Sequence, residues 1–174
     1  MLKRSLRFGL LVALGFALFG QTKPKDVDGW DKIKWGMTMA DVRAAYGIDT
    51  EPETKDGWTL LQLKPVKLGR VEMGVQVGAR QDAGKVTSVK LWSYFGLSTS
   101  APGASGQDFD ALKMILIQEY GQPASEETKH GENFRLLKTV LWKFPSTSVQ
   151  MTLEQSSSLP NLGNISLDYT AANQ

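Results

Sequence analysis

The chain is predicted to be an α+β protein of two units in tandem, each a helix followed by a three-stranded antiparallel sheet, with the helices on one face of the sheet. Two observations carry this prediction. Two helical segments end in the same pair, Tyr46-Gly47 and Tyr120-Gly121, and a set of three strand-like segments follows each pair. In several of those segments apolar and polar residues alternate with period two, the pattern of a strand with one covered and one solvated face.

The elements follow in order along the 174 residues. Lys3, Arg4 and Arg7 precede an apolar run, Phe8–Phe19, and Leu18 and Gly20 form a −3/−1 pair for cleavage before Gln21. Residues 1–20 therefore read as a secretory signal peptide, whether removed or kept as an anchor. The run falls short of the roughly 20 apolar residues of a comfortable membrane span. Residues 21–31 are polar and read as a flexible arm. The first α+β repeat is placed at 32–95, a linker at 96–106, the second repeat at 107–170 and a tail at 171–174.

In the first repeat, Ile33–Gly47 carries a full set of helix-end signals. Thr38 is an N-cap candidate and Asp41 stands at N3, the arrangement of a capping box. Met37 and Val42 occupy the two positions of a hydrophobic staple. Gly47 stands where a left-handed residue ends a helix. Strands are predicted at Trp58–Leu63, ended by Pro65, at Val71–Val77, and at Lys85–Phe95 after the Asp82–Gly84 turn. The segment Gly96–Gly106, rich in small residues, is the linker. In the second repeat, Phe109, Leu112, Leu116 and Tyr120 recur at helical spacing, with Ile115 widening the stripe. Ser105 and Asp108 are the N-cap candidates, and Gly121 is the residue after the helix. Strands follow at Phe134–Phe144, Val149–Glu154 and Asn164–Tyr169.

Around Trp35-Gly36-Met37-Thr38, with Val42 and Gly47 behind it, the chain resembles the SmpA/OmlA-type small outer-membrane assembly lipoproteins. It also resembles the tandem-repeat β-lactamase-inhibitor protein family, in which the same Gly-Met-Thr motif opens a helical region before an antiparallel sheet. The resemblance covers about fifteen residues in motif and implies that kind of fold and a habit of binding other proteins. The departures are specific: no Gly-Met-Thr opens the second half, and the chain has no cysteine for a lipid anchor or a disulfide.

Charge and composition narrow the function classes. The whole chain carries +2, and residues 1–20 hold three bases and no acid, so the remainder carries −1. A basic surface for nucleic acid is not implied. No cofactor or metal is called for, and a periplasmic or secreted location without a stable membrane span follows from the signal.

Residue types that carry chemistry are present without their usual settings. His130 lies in the polar stretch Glu126–Glu132, read as a loop, with no orienting partner in sequence. Glu126, Glu127 and Glu132 could supply carboxylates to a small extracytoplasmic hydrolase, which needs two of them across a cleft. Asp26-Val27-Asp28-Gly29 hints at a calcium loop but lacks the ligands an EF-hand requires. Gly84-Lys85 lacks the flanks of a phosphate loop, and Ser98, Ser100 and Ser105 lack a nucleophile elbow.

Aromatic residues on strands remain: Trp58, Trp92, Tyr94 and Trp142. Trp92 and Tyr94 share one face of a strand whose other face carries Val89 and Leu91. The expected function is non-catalytic binding of an envelope or secreted protein through such an aromatic face, with a hydrolase or an inhibitor of a secreted enzyme as alternatives.

Overall fold

Aspartates in left-handed backbone set the first two hairpins. Asp31 and Asp56 have φ of 50° and 51°, a conformation that Asp tolerates better than most side chains. The pair Asp31-Lys32 joins β1 (Gly29–Trp30) to β2 (Ile33–Lys34). Asp56 and Gly57 both have positive φ, the signature of a type I′ turn, and join β3 (Glu53–Lys55) to β4 (Trp58–Leu68). The computed structural model describes residues 26–93, 104–131, 135–156 and 163–172.

Two helices have matching starts. In α1 (Met39–Tyr46), the Asp41 amide donates to Thr38 Oγ1 at 3.2 Å, and the Thr38 amide donates to Asp41 Oδ2 at 2.8 Å. In α2 (Gly106–Tyr120), Ser105 and Asp108 exchange the same two bonds at 3.2 and 2.8 Å. Each capping box satisfies two amides that the helix leaves without a partner. Gly47 ends α1 in the left-handed region, φ 61°, and Gly121 ends α2 with its amide on Ile117 O at 2.9 Å. Replacing either cap residue, Thr38→Ala or Ser105→Ala, should lower the unfolding free energy by about 1 kcal/mol. A urea melt superimposable on that of the parent would rule out the capping contribution.

The strands build one broad antiparallel sheet. After β4 come β5 (Val71–Arg80), β6 (Val86–Ser93), β7 (Ser125–Lys129), β8 (Leu136–Lys143), β9 (Thr147–Gln155) and β10 (Gly163–Ala171). Their spatial order is β3-β4-β5-β6-β10-β9-β8-β7. Each half of the chain is thus a four-stranded meander, and the last strands of the two halves pair in the middle, with Leu91 opposite Leu167. One row of partners crosses six strands: Leu63, Val75, Leu91, Leu167, Met151 and Val140, all buried. Against this side lie Met39 and Val42 of α1, Phe109, Leu112 and Leu116 of α2, and Ile33 of β2, in one continuous core.

These facts correct the fold prediction. The chain is mostly β, not an α+β protein of two three-stranded units: two helices accompany an eight-stranded antiparallel sheet and a two-stranded one. The added strands of the large sheet are its edges. The β3 strand is exposed throughout, and so is β7, which occupies most of the stretch read as the loop around His130. Pro65 does not end its strand. The pairing of β4 with β5 shifts register between Leu63 and Val66, and the strand continues past the proline to Leu68. Asp26–Asp31, expected in a flexible arm, contains β1 and is tied to the β8–β9 turn, where the Asp26 carboxylate accepts from the Ser146 amide at 3.0 Å and its hydroxyl at 2.6 Å. Ile115 does not widen the buried stripe of α2: it is 39% exposed.

Candidate binding surfaces

Alternation along the strands decides which side chains leave the core. With Val89 and Leu91 buried, Trp92 points to the opposite face of the sheet, where it is half-buried. Trp58 and Leu60 lie on that face of β4, and Leu137 and Leu141 on that face of β8, all half-buried. Neither described helix packs on this side, since the buried residues of both helices join the core behind the other face. Across its centre run Gln62, Gln76, Lys90, Asp168 and Gln150 as successive partners, and Lys90 pairs with Asp168 at 3.7 Å across the central seam. The result is a wide polar floor with aromatic and aliphatic side chains set into it.

Trp58 keeps its place through a glycine. A Cβ at Gly78 would come within 3.3 Å of Trp58 Cε3 and would overlap Ser88 Oγ. The missing side chain lets the indole lie over the β5 backbone. Of the other predicted aromatics, Tyr94 lies outside the described residues. Trp142 is only 1% exposed, and its Nε1 donates to Gly121 O at 2.9 Å. It has no surface to offer a partner, and its place is in the core. Gly36 has φ 86° and donates to Val86 O at 3.1 Å, Met37 packs against the core, and Val42 is fully buried.

A second concavity lies on the helix side. Between α2 and the β1–β2 hairpin is a cleft of about 1240 Å³. Ile115, Leu116, Glu119 and Tyr120 line it from α2, Trp30 and Lys34 from the hairpin, and Val66 and Leu68 from the far part of β4. The β4–β5 turn reaches α2: the Arg70 guanidinium pairs with Asp108, and a Cβ at Gly69 would stand 3.3 Å from Ile115 Cδ1. Burial alone pushes the Asp108 carboxyl up, but hydrogen bonds from Ser105 and Arg70 outweigh it and hold the group below the usual carboxylate range. In the cleft, the Tyr120 and Tyr169 hydroxyls lie 3.1 Å apart. Burial raises the Tyr169 phenol well above its ordinary value and the Tyr120 phenol to about 12, so both stay neutral at physiological pH.

Among the described residues, the cleft edge carries Asp26, Asp28, Asp31 and Glu119 against the ammonium of Lys34. Lys34 pairs with Asp28 at 2.5 Å, and Asp31 accepts from Tyr46 Oη at 2.8 Å. This cleft has no signal in local spacing. The cleft walls come from residues near 30, 66, 115 and 169, and no short motif joins them.

The remaining residues singled out for chemistry are dispersed. Glu126 and Glu127 are successive residues of β7 and so point to opposite sides of it. Glu126 pairs with Lys113 at 3.0 Å and Glu127 with Lys129 at 2.9 Å. Glu132 lies outside the described residues. His130 is exposed, and its Nδ1 lies 2.8 Å from the Arg135 carbonyl, an acceptor, so that nitrogen is the donor. Among the described residues, no group of three His, Asp or Glu side chains is placed to hold a metal ion, and no helix is long and apolar enough to cross a membrane. No protein-family model matches the chain, and comparisons with curated proteins and with solved structures give no significant match.

Proposed function

We propose that this protein is a non-catalytic binding module of the bacterial cell envelope or its exterior, and that it holds a folded partner protein on the open face of its sheet. The observation that carries this reading is the face itself. Trp58, Trp92, Leu60 and Leu141 stand half-buried on a broad surface that neither described helix covers, among polar side chains that include the Lys90–Asp168 ion pair. Protein-binding surfaces combine aromatic anchors with a polar surround in this way. The signal-like start of the chain supports the location. The Gly36-Met37-Thr38 start, with its resemblance to families that bind other proteins, supports the class, and the matching element order of the two halves supports descent from a duplicated unit.

The test is affinity capture from envelope extract on the immobilised full chain, with Trp92→Ala and Trp58→Ala as controls. One protein retained by the parent, and at least tenfold less by either variant, is the expected result; truncating a central aromatic anchor commonly removes 2 kcal/mol or more of binding energy. Retention unchanged in both variants, with their unfolding midpoints also unchanged, would remove the open face from the function.

A further inference from the structure

We propose that the cleft between α2 and the β1–β2 hairpin is a second binding site, on the opposite side of the sheet from the open face, for a cationic amphipathic peptide segment of another protein. Shape, lining and charge each point there. At about 1240 Å³ the cleft exceeds the roughly 300–1,000 Å³ of ordinary small-molecule pockets, and it suits several side chains of an extended or helical segment. Val66, Leu68, Trp30 and Ile115 supply an apolar lining, and each retains exposed surface. Ile115 is one of two large exposed hydrophobics among the described residues, and of the two it alone lines the cleft. An apolar side chain of a ligand would cover Ile115 and gain the burial that the fold leaves unused.

Charge selects the ligand class. Among the described residues, the cleft presents four carboxylates and one ammonium, a net of −3. An anionic lipid or phosphorylated ligand would meet like charge, whereas lysine or arginine side chains flanking apolar ones would meet opposite charge. Glu119 is exposed on the same helix as Ile115, one turn further along, so one ligand could engage both. The neutral hydroxyl of half-buried Tyr120, held by that of buried Tyr169, adds a polar group without changing the charge balance.

The experiment is fluorescence anisotropy of the full chain at near-physiological salt with a labelled peptide of about 12 alternating lysine and leucine residues. A matched glutamate–leucine peptide is the control. The parent should bind the lysine–leucine peptide and bind the glutamate–leucine peptide at least tenfold more weakly. Glu119→Gln should weaken binding by about two- to fivefold, the effect of one partly screened ion pair. Ile115→Lys places a cation on the lining at a position outside the core, so its melting temperature should match that of the parent while affinity falls more than tenfold. Three results would each overturn the proposal: no binding by the parent, equal binding of the two peptides, or binding unaffected by Ile115→Lys. Loss of peptide binding in Trp92→Ala with Ile115→Lys unaffected would place the peptide on the open face and overturn it too.

Discussion

Trp142→Ala should destabilise the protein by about 3–5 kcal/mol, the usual cost of emptying a buried aromatic site. Trp142 is the largest of the fully buried side chains. It sits on β8 opposite Val149, in the row that continues through Tyr169 and Val89. Its indole N–H also accounts for the Gly121 carbonyl at the end of α2, so the residue joins a helix terminus to the sheet. Trp142→Phe separates the two contributions. It keeps much of the apolar volume and loses the hydrogen bond, and it should cost about 1–2 kcal/mol. Chemical unfolding monitored by circular dichroism measures both. A Trp142→Ala variant within 1 kcal/mol of the parent would be incompatible with a packed core at this position.

Gly29→Ala should cost about 3 kcal/mol, at the upper end of what overpacking produces. A methyl group at Gly29 would overlap the Ile33 carbonyl across the β1–β2 hairpin, and the obstacle is backbone, which cannot rotate aside. The hairpin is also a tether between the halves of the molecule. Trp35 Nε1 donates to Thr147 Oγ1 at 2.6 Å, and that hydroxyl donates in turn to Val27 O. Trp30 lies 6.5 Å from Tyr169, ring centre to ring centre. Displacing the hairpin would therefore loosen contacts with β9 and β10 as well as its own. Hydrogen exchange at the Trp35 amide, which donates to Asp28 O at 3.0 Å, reports the opening directly. Exchange and unfolding both unchanged would mean that the hairpin contributes nothing to stability.

The strands legible in the sequence are those with one covered face. Val71–Val77, Val149–Glu154 and Asn164–Tyr169 all lie within strands, and the residues expected to share a face in them do so. The capping box of α1 was legible because it is local chemistry, complete within four residues; in α2 both members were noted as N-cap candidates, and the structure makes Ser105 the cap and Asp108 its N3 partner. The two edge strands were not legible. Ser125–Lys129 buries nothing, so no apolar period marks it, and its charged residues, Glu126, Glu127 and Lys129, suit an edge that must stay soluble. Glu53–Lys55 is equally polar, yet Asp56-Gly57 ahead of Trp58 is a strong hairpin signal and would have revealed it. The aromatics show a different limit. The parity of β6 separates Trp92 from Leu91 but does not say which faces the core. On β8, Leu141 and Trp142 are both apolar, so alternation gave no guidance, and tertiary packing chose Trp142 for the interior. The cleft was invisible because nothing local records which distant segments will face each other across it.

The order of strands across the sheet also sets how the chain must search for its fold. Apart from the central seam, every pair in the large sheet joins strands that are neighbours in sequence: β3 with β4, β4 with β5, β5 with β6, and likewise from β7 to β10. Each of these closes a short loop at small entropic cost. The β6–β10 pair alone must close a loop that encloses α2 and three strands. For so wide a sheet, the distant strand pairing to be found is therefore one, the central seam, beside the docking of the Asp26–Trp35 segment against Ser146, Thr147 and Tyr169. Proteins dominated by non-local pairing fold slowly. Here that delay is concentrated in one zipper-like closure between two meanders whose own pairings are local.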